Sequence, residues 1–154
     1  MDLTEDTVSL VGTALKELLH AHATAGPLIG VSCIAEGSDA LFARAVLDTG
    51  GRLAVVIPSR DYRRKAVRPG HAELFDRLVD AADEVVVVPE ETAGRAAYEA
   101  ANSLLLDRAD RIVAVWDGGP PSGRGGGTAD VVLAARARGI PVDIVWPDGA
   151  RRKD

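Results

Sequence analysis

The fold of this chain can be read first from residues 111–128, Arg111-Ile-Val-Ala-Val-Trp-Asp117 followed by Gly118-Gly-Pro-Pro-Ser-Gly-Arg-Gly-Gly-Gly-Thr128. A short apolar run ends in an acid, a glycine-rich loop follows, and a helical pattern begins near Thr128. Glycines let backbone amides approach a ligand closely, and a helix N-terminus presents unpaired N–H groups. The segment is typical of a strand, an anion-binding loop and a helix. The plainer alternative is a solvent-exposed loop without a ligand.

Four more apolar runs, rich in Val and Ile, recur at intervals of about 25 to 30 residues and alternate with amphipathic segments. Continuous runs of this kind are typical of parallel strands buried on both faces. The alternation predicts right-handed βαβ crossovers and a three-layer, Rossmann-like α/β domain with a mainly parallel five-stranded sheet flanked by helices. The five predicted strands are Leu28 to Cys33, Leu53 to Ile57, Glu84 to Val88, Arg111 to Trp116 and Val142 to Trp146.

We expect a single domain over residues 1–154, with an N-terminal helix within residues 1–26 and a tail at 148–154. Ser38 or Asp39 is a candidate cap for the helix after the first strand. Thr92 is the predicted N-cap of an Ala-rich helix that reaches about Asp107, and Thr128 is that of a helix ending before Gly139.

Composition excludes several classes of function. The 18 Lys and Arg residues against 23 Asp and Glu give a formal charge of -5, which disfavours extended nucleic-acid binding. The one cysteine, Cys33, allows no internal disulfide and is expected to be a buried core thiol. His20 and His22 do not face each other on a helix, so no metal site is expected.

No apolar run is long enough to span a bilayer and no leader pattern opens the chain, which predicts a cytoplasmic protein. The arginine and alanine content suggests a bacterial protein.

Two common nucleotide motifs are missing from the loops after the predicted strands. The glycine-rich loop has no Lys-Ser or Lys-Thr in Walker A spacing. The first strand leads into Glu36-Gly-Ser-Asp39, which has one glycine where the dinucleotide fingerprint needs three. Ligands of open parallel sheets bind at the carboxyl ends of the strands, so Ser32, Glu36 and Gly37 are expected to line the floor of that cleft.

The connection after the second predicted strand carries five positive charges within nine residues, Arg60 to Arg68. It has three interpretations: a solvated loop, an anion-steering rim beside the cleft, or a docking site for an acidic partner. Aromatic residues add little, because Trp116 and Trp146 fit core packing better than stacking on a base. Tyr98 and Asn102 share one helix face and mark either the cleft or a subunit contact.

Several ordered motifs within residues 28–147 resemble the SLOG superfamily, the Rossmann-like domains related to DNA-processing protein A and to the LOG cytokinin-activating enzymes. The resemblance implies a pocket for a nucleotide or a nucleotide derivative. The motifs that carry it are Gly30-Val-Ser32, Ala35-Glu-Gly-Ser-Asp39, Leu53 to Pro58, Asp61-Tyr62, Tyr98, Val113 to Gly118 and Gly126-Gly-Thr-Ala-Asp130.

The resemblance also implies roles for individual positions. Gly126, Gly127 and Thr128 match the phosphate-binding turn of the LOG enzymes and the Gly-Thr-Ala turn of nucleoside deoxyribosyltransferases. The LOG enzymes place a catalytic Glu three residues after the Thr, where this chain has Val131, and Asp130 would point about 100° away around the helix. Relatives commonly begin with an additional strand and a Gly-His-Arg-like turn, which this sequence lacks. They are typically homodimers, and the Ala-rich helix is a candidate contact with a second copy.

The leading hypothesis is a non-catalytic or weakly catalytic domain that binds a nucleotide-derived ligand, with its phosphate on the Gly-rich loop and helix N-terminus. In this hypothesis Asp117 and Glu36 meet ribose hydroxyls, and Arg60 or Arg63 balances charge. The predicted phosphate-binding residues are Gly125, Gly126, Gly127 and Thr128. The predicted ligand-binding residues are Ser32, Glu36, Gly37, Asp39, Arg60, Arg63, Tyr98, Asp117 and Gly118.

Two alternatives remain open at the level of sequence. The first is an enzyme, an N-glycoside hydrolase or transferase acting on nucleoside 5'-monophosphates, with Asp130, Glu36 or Glu99 as the catalytic carboxylate. The second is a scaffold whose basic connection docks an acidic partner. No cofactor is expected beyond Mg²⁺ carried by a nucleotide.

Overall fold

The computed structural model of the chain describes residues 2–123 and 127–154. Within these ranges helices and strands alternate almost strictly, as the sequence predicts. In chain order the elements are α1 (Glu5–Ala25), β1 (Ile29–Ser32), α2 (Ser38–Asp48), β2 (Arg52–Ile57), α3 (Tyr62–Lys65), α4 (Pro69–Ala81), β3 (Glu84–Val87), α5 (Arg95–Arg108), β4 (Ile112–Val115), α6 (Thr128–Ala137) and β5 (Val142–Val145).

All five predicted strands are confirmed and all their pairings are parallel, but the prediction of one five-stranded sheet is wrong. The strands form a three-stranded sheet in the order β1-β2-β3 and a two-stranded sheet of β4 and β5. Gly30 lies opposite Leu53, and Val113 lies opposite Asp143. An apolar run indicates that a strand is covered, whereas pairing depends on how closely two backbones approach. The hydrophobic pattern therefore predicts the strands and not the division between the sheets.

Burial on both faces is also wrong for β3. This strand forms one edge of its sheet, and Val85 and Val87 remain 41% and 47% exposed. Their neighbours in register, Val55 and Ile57, lie one strand further in, and Val55 is fully buried. The helix before β3, α4, packs against α2 instead of extending over this edge. Side chains on the edge strand consequently meet solvent although their sequence is as apolar as that of a central strand.

The core consists of three hydrophobic clusters that hold the layers together. The first joins α1 and α2 to the ends of β4 and β5, with Leu15 and Val46 fully buried in it. The second lies between β2 and the helices α2 and α4. The third joins Val56 to α5, where the small side chains of Ala97 and Ala101 are buried. This face of α5 is therefore used inside the chain.

The predicted caps of α5 and α6 are wrong. Helix α5 begins at Arg95 with Gly94 as its N-cap instead of Thr92, because Ala93 is tied back to the turn after β2 and extends the loop. Helix α6 begins at Thr128 itself, with Gly127 as its N-cap. Within residues 2–123 and 127–154, no helix combines the length and the apolar content that a membrane crossing requires.

Candidate ligand-binding site at the carboxyl ends of the strands

The turn between β1 and α2 contains a strained backbone conformation that was not predicted from the sequence. Ile34 has a φ of +47°, in the left-handed region that β-branched residues rarely enter. Three contacts hold it there: the Ile34 N–H donates to Ser32 Oγ at 3.0 Å, His71 Nε2 donates to the Ile34 carbonyl oxygen at 3.0 Å, and the side chain is fully buried. Strained residues of this kind are concentrated at binding and catalytic sites.

Asp39 lies in the first turn of α2, immediately after this strained turn. Neither Ser38 nor Asp39 is the cap, which is Gly37 with a φ of +98°. The Asp39 residue retains some exposure to solvent. Removal of water around its carboxyl group raises its pKa, although the Ala35 backbone favours the charged form. The residue is thus only partly covered, while its carboxyl group holds its proton more tightly than an ordinary aspartate.

Two neighbours share the dry surroundings of Asp39. Burial raises the pKa of the Cys33 thiol, and the nearby Asp39 charge raises it further. Burial also raises the pKa of Tyr62, with smaller contributions from Cys33, Tyr98 and Asp39. Cys33 is a buried, free thiol, as predicted. A negative charge is disfavoured on all three side chains, because burial raises the pKa of each of them.

Glu36, a predicted ligand-binding and catalytic residue, is engaged in an ion pair. Its Oε2 lies 2.7 Å from Arg68 Nε and 2.6 Å from Arg68 Nη2. Both side chains are largely exposed. Gly37 and Ser32 lie beside it in the same turn, so the structure brings these three predicted residues together with Asp39.

Asp61 has a role that the sequence analysis did not assign. Its Oδ1 accepts hydrogen bonds from Ser59 Oγ at 2.8 Å and from the Ala93 N–H at 2.7 Å. The hydrogen bond from Ser59, ahead of that from Ala93, lowers the Asp61 pKa. This carboxylate joins the turn after β2 to the loop before α5. In the sequence Asp61 looks like an ordinary surface acid next to a helix. Its contact with Ala93 is evident only in the fold.

The basic connection after β2 is neither a plain loop nor an unpaired positive patch. Part of it forms α3, and three of its five cations have acidic partners. Arg60 pairs with Glu91 at 2.8 Å, and Arg63 makes two hydrogen bonds to Asp76 at 2.8 and 2.9 Å. The third pair is Arg68 with Glu36. An open cleft of about 930 Å³ lies here, lined by Arg60, Asp61, Arg63, Arg64, Val67, Pro69, Ala72, Glu91 and Thr92.

Tyr98 and Glu99 take up different environments on α5. The Tyr98 ring packs edge-on against Tyr62, with the ring centroids 6.4 Å apart, and is partly buried in the second core cluster. Glu99 pairs with Arg95 one turn earlier, at 2.8 Å, on the exposed side of the helix. Tyr98 therefore packs against Tyr62, which is one of the two neighbours of Asp39 described above. Glu99 instead forms an ion pair at the surface.

The turn after β4 is built around Asp117. Its Oδ1 accepts the Gly119 N–H at 2.9 Å, and the Trp116 indole donates to the Gly119 carbonyl oxygen at 3.0 Å. Gly118 completes the turn with a φ of +85°, a conformation that favours glycine. The second oxygen of Asp117 forms an ion pair with Arg152 Nε at 2.8 Å. Both predicted ligand-binding residues of this loop, Asp117 and Gly118, thus belong to a preformed turn.

The N-terminus of α6 is the predicted phosphate site. Asp130 Oδ2 accepts the Gly127 N–H at 3.1 Å, so this carboxylate already satisfies one backbone donor there. Thr128 is the first residue of the helix. Gly125 and Gly126, the other two predicted phosphate-binding residues, lie outside the described residues. Asp130 therefore has a structural role in addition to any part in catalysis.

Comparison with known proteins gives a structural likeness and no sequence relative. No protein-family model matches the chain, and no curated protein does. Among solved structures, the X-ray structure of DNA processing protein A from Streptococcus pneumoniae is similar, with a TM-score of 0.66 and 18% sequence identity over 95% of this chain. The likeness covers 47% of that protein, so the chain spans about half its length. At this identity the likeness concerns the fold alone, and the chain has a Rossmann-like α/β fold similar to that of DNA processing protein A.

Proposed function

We propose that this chain binds a nucleotide or a nucleotide-derived ligand across the carboxyl ends of its strands. The fold supports the location, because open parallel sheets bind ligands at that edge. The turns after β1 and β4 follow the carboxyl ends of those strands, and α6 is the next element after β4. In the proposed arrangement the strained turn and Asp39 meet the sugar or base, and the loop before α6 meets the phosphate.

The proposal rests chiefly on the burial of the Asp39 carboxyl group next to the strained residue Ile34. A carboxyl group with a pKa raised by burial destabilises the folded protein at neutral pH, and a neutral polar side chain would avoid that effect. The group nevertheless lies on a turn whose backbone is itself strained at Ile34. Two unfavourable features side by side at the edge where ligands bind are typical of a functional site.

Thermal stabilisation tests the proposal directly. The purified chain is heated with nucleoside mono- and diphosphates, ADP-ribose and cyclic nucleotides, each at millimolar concentration. A ligand present at about 100 times its Kd adds about 2.7 kcal/mol of stability, which for a chain of this size raises Tm by roughly 5 to 10 °C. No shift with any compound of the panel would reject nucleotide binding and favour the scaffold interpretation.

Replacing Asp39 by Asn should raise Tm at neutral pH and weaken ligand binding. The folded protein holds the Asp39 proton more tightly than the unfolded chain does, so folding loses stability as pH rises from the ordinary Asp range through the raised pKa. The gain in Tm of Asp39→Asn should therefore shrink as pH is lowered into the ordinary Asp range. Melting curves of both proteins between pH 3 and pH 8, a range set by the reference pKa of about 3.9 for Asp, measure this.

Asp76→Asn is the matched control because its pKa is shifted in the opposite direction. The hydrogen bonds from Arg63 lower the Asp76 pKa, so this group stabilises the folded protein above the ordinary Asp range. Asp76→Asn should lower Tm slightly at neutral pH, and that loss should disappear on acidification. If both variants change Tm in the same direction at neutral pH, then burial of the Asp39 carboxyl group does not explain the effect of Asp39→Asn on the stability of the protein.

Asp39 also favours a second function, N-glycoside hydrolysis of nucleoside 5'-monophosphates. In this reaction the oxygen of a water molecule bonds to C1' of the ribose while the bond from C1' to the base breaks. The departing base takes up a proton, and the proton that the water loses restores the proton donor. A carboxylic acid with a raised pKa can supply that proton. The carboxylates predicted from sequence are already engaged: Glu36 with Arg68, Glu99 with Arg95, and Asp130 with the Gly127 N–H.

Chromatography of nucleoside monophosphates incubated with the protein detects the released base. We expect Asp39→Asn to lower the rate by about 100-fold or more if the chain is such an enzyme, which is the usual contribution of a general acid. Asp130→Asn should lower it much less. Absence of free base with the unmodified protein rejects hydrolysis and leaves binding as the function.

A further inference from the structure

The segment beyond β5 is not a free tail. Leu3 and Arg152 form an antiparallel bridge, and the Lys153 N–H donates to the Asp2 carbonyl oxygen at 3.0 Å. The Thr4 N–H donates to the Arg151 carbonyl oxygen at 3.3 Å. We call residues 2–4 and 151–153 the clasp. Because Leu3 is buried in the first core cluster, the clasp is anchored to the body of the domain.

The clasp places Arg152 at the edge where the proposed ligand lies. Arg152 Nε is 2.8 Å from Asp117 Oδ2, in the turn that follows β4 and leads to α6. Arg152 is therefore held against the turn that follows β4.

Two charged groups described on α5 and at the start of α6 are already engaged. Asp130 already occupies the Gly127 N–H at the start of α6, and its negative charge opposes a phosphate there. Arg95, on the neighbouring helix, is held by Glu99. The Arg152 side chain is half exposed, whereas Asp117 is largely covered. A guanidinium held at one nitrogen by a carboxylate and open to solvent is well arranged to receive an anion.

We propose that Arg152 binds the anionic group of the ligand and that Asp117 positions Arg152 for this purpose. This inference rests on the proposed function and specifies its ligand, which must carry a phosphate or a similar anion near the turn after β4. It also gives Asp117 a different role from the ribose contact predicted from sequence.

The test compares ligands that differ only in the phosphate. Calorimetric titration of the full chain with AMP, GMP, CMP and UMP, and with the four matching nucleosides, gives Kd values for each pair. We expect tighter binding of at least one monophosphate than of its nucleoside. Arg152→Gln should weaken binding of that monophosphate by about tenfold or more, as expected for hydrogen bonds to a charged group, and leave nucleoside binding unchanged.

Arg151→Gln is the matched control, since it removes the same charge from the adjacent exposed residue of the clasp. It should leave every Kd unchanged, and Arg152→Lys should recover part of the loss. Melting curves without ligand establish that the variants remain folded. The inference is overturned if Arg152→Gln binds the monophosphate normally, if it weakens nucleoside and monophosphate equally, or if Arg151→Gln has the same effect.

Failure of the proposed function gives a different result. If the unmodified chain binds none of the eight compounds, nucleotide binding is rejected and the role of Arg152 falls with it. If the chain binds a nucleoside and its monophosphate with equal affinity, nucleotide-type binding stands and only the role of Arg152 is rejected.

Discussion

Replacing Gly30 by Val should lower the free energy of unfolding by about 3 kcal/mol or more, the upper range for an overpacked core. Gly30 is a buried residue of β1, and a Cβ at this position would run into Cγ2 of Val46. Val46 belongs to α2 and is itself fully buried in the first core cluster. Neither the strand nor the helix can give way without disturbing that core. Urea unfolding monitored by circular dichroism measures the change.

Gly12→Ala is the control for this prediction, because it adds a methyl group where there is room. Gly12 lies inside α1, and nothing surrounds the position of its Cβ within 4 Å. Alanine is the better helix former, so this variant should gain about 0.5 to 1 kcal/mol. A Gly30→Val protein as stable as the unmodified chain would mean that α2 does not approach β1 as closely as the structure has it.

Replacing Gly127 by Phe should raise the Kd for a nucleoside monophosphate by about tenfold or more, equivalent to at least about 1.4 kcal/mol, while leaving stability nearly unchanged. Gly127 has a φ of -81° and a ψ of 171°, an extended conformation that any residue adopts. A Cβ there would make only an ordinary contact with Asp130 Oδ2, at 3.6 Å. The fold therefore accepts a side chain, whereas a phosphate at the start of α6 would lose its space.

Gly94→Phe tests whether a phenylalanine at the N-cap of another helix also weakens binding of the monophosphate. Gly94 is the N-cap of α5, has an extended backbone with a φ of 168°, and has nothing around its Cβ position within 4 Å. We expect this variant to bind the monophosphate as the unmodified chain does. Weakened binding in Gly94→Phe together with normal binding in Gly127→Phe would move the phosphate site from α6 to α5.

The elements of the fold were predictable because hydrophobic side chains repeat with the period of the structure that buries them. Every observed strand coincides with a predicted apolar run, and α1, Glu5–Ala25 with Thr4 as its cap, lies within the predicted residues 1–26. The errors have different causes. The start of α5 depends on a partner distant in the sequence, the Asp61 carboxylate that holds Ala93, whereas the N-cap of α6 is set locally by Asp130 and Gly127.

The candidate site was predictable only as a region. Parallel strands of an open sheet place the residues after their carboxyl ends at one edge, so the loops containing Asp39 and Asp117 could be named in advance. The ion pairing and the pKa shift of each side chain could not be predicted. Glu36 and Asp39 are three residues apart, yet Glu36 pairs with Arg68 at the surface while burial raises the pKa of Asp39.

By itself, the sequence determined the alternation of strands and helices and the parallel direction of the strands, since these follow from local periodicity and chain connectivity. Only the tertiary structure decided that Ile34 adopts a strained backbone beside His71 and that the clasp brings Arg152 to Asp117. These contacts join residues 37 and 35 positions apart in the sequence, and contacts across such separations form only when the whole chain is packed.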